Sequence, residues 1–127
     1  MNEPVWMKSV IRDFGRAAGI GDLSLNERDA AALRFAHGAA FRLEYTGTEL
    51  VMAMTIPWRG NVAALHRLLA ASHPKASGAF KTRTGLLSRS SSAVMAIRLA
   101  EREATLPAMN SAFTMLWRLS EEIGGVS

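Results

Sequence analysis

The apolar positions of the first segment recur with the period of an α-helix. Over residues 4–18, apolar side chains follow one another at spacings of three or four, and charged side chains fall largely on the other side. Such a stripe is typical of an amphipathic helix. Pro4 suits the first helical position, because its missing N–H would have no intrahelical partner there. Since Gly19 and Gly21 then provide a stop, the pattern predicts a helix over residues 4–18.

Period-2 alternation replaces the helical spacing in the next part of the chain. Residues 33–35, 41–45 and 49–56 carry apolar side chains at every second position, and His37-Gly38 and Thr46-Gly47 lie between them. Such alternation indicates strands with one buried face, and glycine-containing dipeptides favour tight turns. We therefore predict three strands that form an antiparallel meander.

The third of these strands is apolar on both faces. Its two alternating sets are Leu50, Met52, Met54 and Ile56 on one side and Val51, Ala53 and Thr55 on the other. Pro57 cannot donate to a strand ladder, so the strand should end there. A strand of this composition is central in its sheet, and it is either covered twice or has one bare face that awaits a partner.

The second half of the chain repeats the two periods. Asn61 is a suitable N-cap for a middle helix over residues 61–72, and a proline follows two residues later. A weak alternation at residues 80–84 and a clear one at residues 95–99 predict two more strands. The serine-rich residues 88–92 between them are short and bounded by strands, so they predict a hairpin loop.

The last predicted helix has an unusually wide apolar arc. Thr105 caps it, Pro107 lies in its first turn and Gly124-Gly125 ends it. The arc is wider than one sheet face ordinarily needs, which favours an oligomer that also binds another chain. The predicted fold class is α+β, with an antiparallel sheet packed by helices in the order α-β-β-β-α-β-β-α. We expect a single two-layer domain over residues 1–127, and a dimer.

The composition is that of an ordinary globular protein. The chain has 127 residues and 13.8 kDa, 49% of its residues are hydrophobic and 20% are charged, and it contains no cysteine. A chain of this length buries enough surface to fold without a metal or a disulfide. No apolar run approaches the roughly 18 residues of a membrane span, and the N-terminus lacks the pattern of a signal peptide. We therefore expect a cytoplasmic protein.

The positive charge is concentrated in one half of the chain. The formal net charge is +4, and no acidic residue occurs between Glu49 and Glu101. That stretch carries seven basic residues: Arg59, Arg67, Lys75, Lys81, Arg83, Arg89 and Arg98. A segment of one sign can attract an acidic partner or a phosphate backbone, although such residues are more often a solvated surface neutralised by acids elsewhere in the fold.

No catalytic or metal-binding motif is present. The three histidines, at positions 37, 66 and 73, lie far apart in sequence, and no acid stands at a spacing that would orient them. Paired carboxylates such as Glu101/Glu103 and Glu121/Glu122 are typical of a solvated surface. No glycine-rich phosphate loop or nucleophile elbow occurs. We expect no enzymatic activity, no cofactor and no metal.

The order of elements resembles that of the class I type III secretion chaperones. The segment IRDFGRAAGIGDLSL (residues 11–25) is similar to the opening helix of this family, with its small-residue turn and leucine-bearing extended piece. The segment LRFAHGAAFRLEYTGTELVMAMTI (residues 33–56) is similar to the family's meander, and NVAALHRLLAAS (residues 61–72) to its second helix. The similarity covers nearly the whole chain and is one of pattern.

The resemblance implies a bacterial cytoplasmic chaperone without catalysis. Such a protein forms a homodimer, or half of a heterodimer, and binds the non-globular N-terminal segment of a secreted effector or export regulator, here called the cargo. Apolar docking and strand addition would keep the cargo competent for secretion. Family members are typically acidic, whereas this chain has a sequence pI near 10.3, which implies an acidic cargo segment or an acidic partner subunit.

Residue roles follow from the same resemblance. Its implied cargo contacts lie on the first helix and the sheet: Trp6, Val10, Phe14, Leu33, Phe35, Phe41 and Leu43. Its implied dimer interface lies on the middle helix and the next strand: Leu65, Leu68, Leu69 and Phe80.

The alternative hypothesis is a small basic nucleic-acid-binding module. In it, Arg59, Arg67, Lys81, Arg83 and Arg98 would contact phosphates, and in a chaperone the same residues are the candidates for electrostatic contact with an acidic partner. The aromatic residues alternate as in a packed face, and no nucleic-acid-binding signature is present. Binding that depends on phosphate weakens steeply with salt, whereas apolar docking does not.

Overall fold

The computed structural model describes residues 4–35, 38–58, 82–87 and 92–124 of the chain. These residues form two α-helices, five strands and one turn of 3₁₀ helix. In chain order they are α1 (Val5–Ala17), β1 (Ala30–Arg34), β2 (Ala40–Tyr45), β3 (Glu49–Pro57), β4 (Thr82–Leu87), β5 (Ser92–Ala100), the 3₁₀ turn (Glu101–Glu103) and α2 (Leu106–Gly124).

The five strands form one antiparallel sheet in the order β1-β2-β3-β5-β4. The first three strands pair in sequence, so the predicted meander is confirmed. β5 pairs with β3 on one side and with β4 on the other, which makes β3 the central strand. Of the predicted serine-rich loop at residues 88–92, residues 88–91 lie outside the described residues. Ser92 is the first residue of β5 and does not belong to a loop.

Helix α1 begins one residue later and ends one residue earlier than the pattern predicts. Pro4 is the N-cap, and its carbonyl accepts hydrogen bonds from the N–H groups of Met7 and Lys8 at 3.0 and 3.2 Å. At the other end, the Gly15 carbonyl accepts hydrogen bonds from Ile20 at 2.8 Å and Gly21 at 3.2 Å. Gly21 has a φ of 101°, a conformation that glycine adopts without strain, so the predicted stop is confirmed.

Strand β1 starts earlier than its hydrophobic alternation indicates. The alternation marks residues 33–35, but the pairing with β2 begins at Ala30, opposite Glu44, and ends at Arg34, opposite Ala40. Alanine contributes little to a period-2 pattern, so the first three residues of the strand give no signal. The Asn26 side chain helps to position this start, because its Oδ1 accepts hydrogen bonds from the backbone of Arg28 at 2.8 Å and Ala30 at 3.2 Å.

Both helices cover the same side of the sheet. The Phe41 ring on β2 lies 6.0 Å from Phe14 of α1 and 5.0 Å from Phe113 of α2, measured between centroids. Directly paired residues share a face, so this covered face continues through the buried Met54 and Met95. The predicted α+β arrangement of helices on an antiparallel sheet is confirmed.

The opposite side of the sheet, called the outer face below, carries small side chains at its centre. Its half-buried central residues are Ala40, Val51, Ala53, Thr55, Val94 and Ala96. Both described helices, α1 and α2, pack against the covered face, and neither lies over the outer face. The described residues therefore place helices on one face of the central strand, and the choice between the two arrangements that its composition allowed stays a prediction, since residues 59–81 lie outside them.

The contacts of α2 explain part of its wide apolar arc. Met109, Ala112 and Leu116 are buried, and α2 packs on β3, on β5 and on α1 at once. A helix that contacts both a sheet and a second helix needs a wider stripe than one that contacts a sheet alone. Thr105 caps it as predicted, since its Oγ1 accepts a hydrogen bond from the Ala108 N–H at 3.3 Å.

Several predicted features lie outside the described residues. They are the middle helix at residues 61–72, the implied interface residues Leu65, Leu68, Leu69 and Phe80, and the basic residues Arg59, Arg67 and Lys81.

Candidate binding surfaces

Three of the seven implied cargo contacts lie in the core. Phe14 and Leu43 have no exposed surface, and Phe41 is 1% exposed. Phe14 and Phe41 both contact the Phe113 ring, at centroid distances of 5.6 and 5.0 Å. These three side chains stabilise the packing of helices on the sheet, and they offer no surface to a second chain while that packing is intact.

The other four implied contacts are accessible but do not form one patch. Trp6 is 45% exposed, and Val10, Leu33 and Phe35 are half-buried. Leu33 is level with Met54 of β3, whereas Trp6 borders Thr48, next to the start of that strand. Met54 and Thr48 are six residues apart along an extended chain, about 20 Å. The accessible set is therefore divided between the two ends of the sheet.

A shallow groove lies beside Trp6 at the first of these ends. It has a volume of about 500 Å³ and is lined by Trp6, Thr48, Ala100, Glu101 and Arg102. The backbone here is held by a hydrogen bond from the Glu101 N–H to the Thr48 carbonyl at 3.1 Å. The exposed indole gives this groove an apolar wall, and Glu101 and Arg102 give it a charged rim.

A second groove separates α1 from the extended segment that follows it. It has a volume of about 320 Å³ and is lined by Lys8, Ile11, Arg12, Asp22, Leu23, Ser24 and Leu25. Leu23 and Leu25 are 8% and 5% exposed, so the floor is apolar. The hydrophobic pattern did not single out residues 22–25 as a binding candidate, although the Leu-Ser-Leu alternation after two glycines marks an extended piece beside the helix.

Strand β1 has an open edge, and its backbone pairing shows which groups face it. The Phe35 N–H donates to the Ala39 carbonyl at 2.8 Å, and the Tyr45 N–H donates to the Asp29 carbonyl at 2.9 Å. In an antiparallel pair the hydrogen-bonded positions alternate, so residues 29, 31, 33 and 35 bond towards β2. The N–H groups of Ala32 and Arg34 consequently point to the open edge, where no described strand pairs with them.

The arginines of the sheet differ in whether an acid neutralises them. Arg42 lies 3.3 Å from Glu44, and Arg98 lies 3.1 Å from Glu49. Arg83, one of the predicted electrostatic contacts, is exposed on β4 and has no acidic neighbour within ion-pair distance among the described residues. Arg98, another predicted contact, is already neutralised within the chain.

Three groups beside these surfaces have shifted pKa values: Asp22, Arg16 and Tyr45. The hydrogen bond from Arg16 Nε to Asp22 Oδ1 at 2.6 Å, helped by charge attraction, lowers the pKa of Asp22 below 3.8, and the same contact raises the pKa of Arg16. Desolvation raises the pKa of Tyr45, and the carboxylate of Glu101 adds to this effect. The Tyr45 hydroxyl donates to the Gly47 carbonyl at 2.9 Å, which holds the β2–β3 turn.

The described part of the chain contains neither a cluster of candidate metal ligands nor a helix of membrane-spanning character. Within residues 4–35, 38–58, 82–87 and 92–124, no group of three or more His, Cys, Asp or Glu side chains could hold a metal ion. In the same ranges, neither helix is long and apolar enough to cross a membrane.

Comparison with known proteins assigns the chain to a family. The family model of the type III secretory system chaperone SycN matches residues 6–124. The chain belongs to the SycN family of type III secretion chaperones. The chaperone protein SycN of Yersinia pseudotuberculosis serotype I (strain IP32953) is 29% identical over 120 residues, which cover 93% of this chain and 96% of that protein. The predicted resemblance to type III secretion chaperones is therefore confirmed, and this chain is a chaperone of that class.

Chains of two solved complexes share the fold. A chain of the ExsC–ExsE complex superposes with a TM-score of 0.74 at 17% identity, covering 96% of this chain and 93% of that one. A chain of the HopA1–SchA chaperone–effector complex superposes with a TM-score of 0.70 at 15% identity and the same coverage. At these identities the likeness concerns the fold, including the sheet and the two helices that carry the surfaces described above.

Proposed function

We propose that this chaperone binds the non-globular N-terminal segment of a secreted effector or export regulator and keeps it competent for secretion. The observation that carries the proposal is the match of the SycN family model to residues 6–124, which include every described element except the start of α1. A fold shared with the HopA1–SchA chaperone–effector complex supports it. In this proposal the protein binds its cargo in the bacterial cytoplasm and catalyses no reaction.

The open edge of β1 offers a route for strand addition. An extended cargo segment beside β1 would accept hydrogen bonds from the N–H groups of Ala32 and Arg34, and backbone pairing of this kind provides affinity for many sequences. Side chains of the cargo on the covered side would lie beside the half-buried Leu33 and Phe35. Apolar contact there would add selectivity, because alternate side chains of an added strand enter neighbouring pockets.

The test combines co-expression with mass measurement. The chaperone is co-expressed with candidate secreted proteins from the same genome, and light scattering gives the mass of each purified complex. We expect a dimer near twice 13.8 kDa that retains one extended cargo segment in moderate salt and after nuclease treatment. A chaperone that retains no candidate, or that retains nucleic acid and releases it in salt, would contradict the proposal.

A backbone variant tests strand addition separately. Ala32→Pro removes an N–H that points to the open edge and leaves the bonds to β2 in place, so the protein should fold and lose cargo affinity. The matched control is Ala32→Val, which keeps the N–H and should retain cargo. If the proline variant is folded and binds cargo like the wild type, the cargo does not pair with this edge.

The dimer is part of the proposal. The resemblance assigns its interface to Leu65, Leu68, Leu69 and Phe80, whose apolar side chains suit a buried contact between subunits. The second subunit is a second copy of this chain or an acidic chaperone subunit, and the light-scattering mass of the chaperone expressed alone separates the two.

The nucleic-acid alternative is not favoured by the described residues. Stacking on nucleic-acid bases uses several exposed aromatic rings, whereas Phe14, Phe41 and Phe113 contact one another between the helices and the sheet. Trp6 is the one aromatic side chain that is exposed among the described residues.

A further inference from the structure

The first edge-facing residue of β1 is already bonded within the chain. Because residues 29 and 31 bond towards β2, the N–H and C=O groups of Ala30 point to the edge of the sheet. Both groups bond to Asn26. The Ala30 N–H donates to Asn26 Oδ1 at 3.2 Å, and the Ala30 carbonyl accepts from the Asn26 N–H at 2.8 Å. Asn26 therefore occupies the place that a residue of a neighbouring strand would take.

The turn that carries Asn26 holds this arrangement in place. The Asn26 carbonyl accepts a hydrogen bond from the Asp29 N–H at 3.0 Å, and Asn26 Oδ1 also accepts one from the Arg28 N–H at 2.8 Å. Asp29 has a φ of 57°, a left-handed conformation that aspartate adopts more readily than most residues. Asn26 is thus fixed beside β1 by its backbone and by its side chain.

The next two edge-facing residues differ from the first. Ala32 and Arg34 are exposed, and no described backbone or side-chain group bonds to their N–H groups. Beyond them the chain turns into β2, since the Phe35 N–H donates to the Ala39 carbonyl at 2.8 Å. The part of the edge that can pair with a strand is therefore bounded at one end by Asn26 and at the other by the β1–β2 turn.

We infer that Asn26 is a positioning residue that fixes where an added strand of cargo ends on β1. One extended segment of the cargo pairs at Ala32 and Arg34 and leaves β1 before Ala30, whose single N–H is already used. Two edge-facing residues limit the pairing to about three to five cargo residues. This inference deepens the proposed function and rests on it, because it sets the extent of the strand addition.

A short pairing affects how cargo is selected. Backbone pairing provides affinity for many sequences, and side chains provide the selectivity. When the pairing ends after two edge-facing residues, a larger share of the binding free energy comes from side-chain contacts such as those with Leu33 and Phe35. The occupant is an extended segment, because a helix uses its own backbone groups internally and has none to offer to the edge of a sheet.

Amide hydrogen exchange of the ¹⁵N-labelled chaperone measures the division of the edge. In the free protein we expect the amide of Ala30 to exchange about tenfold or more slowly, relative to its intrinsic rate, than the amides of Ala32 and Arg34. If Ala32 and Arg34 are protected as strongly as Ala30, the whole edge is already paired and the inference is overturned.

A synthetic peptide supplies the added strand. It has about ten residues in which valine alternates with threonine, a composition that favours extended structure, and a lysine at each end for solubility. Added in excess, it should slow exchange at Ala32 and Arg34 about threefold or more and leave Ala30 unchanged. Slowing that includes Ala30, or that occurs at none of the three amides, would contradict a limit set by Asn26.

Two variants of Asn26 test its side chain. Asn26→Ala removes the acceptor of the Ala30 N–H, so Ala30 should exchange about as fast as Ala32 in the free variant, and the peptide should now slow Ala30 as well. Asn26→Asp is the matched control, because its carboxylate oxygen accepts the same hydrogen bond, and it should behave like the wild type. If Asn26 only stabilises its turn, Ala30 exchanges faster in Asn26→Ala and the peptide does not slow it, and that result would overturn the inference.

The two proposals fail in different ways. If co-expression retains no secreted protein but the peptide protects only Ala32 and Arg34, the cargo proposal fails and the limit on strand pairing stands. If a secreted protein is retained and the peptide protects Ala30 or none of the three amides, the limit fails and the cargo proposal stands.

Discussion

The two faces of the sheet are built from the same strands and carry opposite kinds of side chain. On the covered face, Phe41, Met52 and Met95 are large and almost completely buried beneath the two helices. On the outer face, the neighbouring positions hold small residues such as Ala53 and Ala96, with exposed arginines towards the edges.

The difference indicates which side of the sheet determines the stability of the fold. Large buried side chains lose the most free energy when truncated, so the covered face determines whether the chain folds. Substitutions of exposed residues on the outer face leave the core unchanged, so they should cost little stability.

The largest effect is expected from Phe41→Ala. The ring contacts Phe14 and Phe113 between three elements, so its loss should reduce the free energy of unfolding by about 3–5 kcal/mol. The adjacent Arg42→Ala, on the outer face, removes an exposed ion pair and should cost about 1 kcal/mol or less. Urea unfolding of both variants gives the two losses in free energy of unfolding. Losses of similar size would contradict the assignment of the two faces.

A smaller loss is expected where α1 meets the segment that follows it. A Cβ at Gly15 would lie 2.4 Å from the Gly21 carbonyl oxygen and 2.7 Å from Leu23 Cβ, so Gly15→Ala must displace backbone. We expect thermal denaturation to show a destabilisation of about 1–3 kcal/mol.

Gly19→Ala is the matched control for Gly15→Ala. Its Cβ would meet nothing within 4 Å, and only its φ of 76° opposes the substitution. That conformational cost is about 1 kcal/mol. A Gly15→Ala protein more stable than the wild type would mean that helix propensity outweighs the close approach.

A change of opposite sign is expected at Thr82. This residue is 5% exposed on the covered face, and its Oγ1 has no hydrogen-bond partner among the residues that the structure describes. Thr82→Val removes a desolvated hydroxyl at constant shape and should raise the free energy of unfolding by about 1 kcal/mol. Thr84→Val, two residues along the same face and half-buried, should change it little, because that hydroxyl can reach water. A destabilised Thr82→Val protein would show that the hydroxyl has a partner in solution.

The smallest effect concerns the exposed pair of Arg16 and Asp22. Because the folded-state pKa of Asp22 is lowered below 3.8, the pair stabilises the fold above that pH and loses its effect as the pH falls through the folded-state value. Asp22→Asn should therefore lower the urea midpoint slightly near neutral pH and not at all in acid below the folded-state pKa. Asp13→Asn, whose carboxylate lies 3.9 Å from Arg12, is the control. A difference that persists unchanged in acid would exclude this ion pair as its cause.

Much of the fold could be predicted from the sequence because its apolar residues recur with clear helical or alternating spacing. Alternation identified β2, β3 and β5, and helical spacing with glycine or threonine at the ends identified α1 and α2. The start of β1 could not be predicted, because Ala30 to Ala32 carry no pattern and are recruited by pairing with β2. The candidate binding residues were predicted less well: the hydrophobic pattern marked Phe14, Phe41 and Leu43 as apolar but could not say that the helices would bury them.

The sequence by itself determined the elements, the central position of β3 and the lack of acids from residue 50 to residue 100. Local propensity, alternation and charge are properties of neighbouring residues, and they can be read without a fold. Only the tertiary structure decided which face of β3 is covered, which arginines find a glutamate, and which backbone groups of β1 point outward. Each of these depends on residues that are distant in sequence and are brought together by strand pairing and helix packing, as Arg98 and Glu49 are.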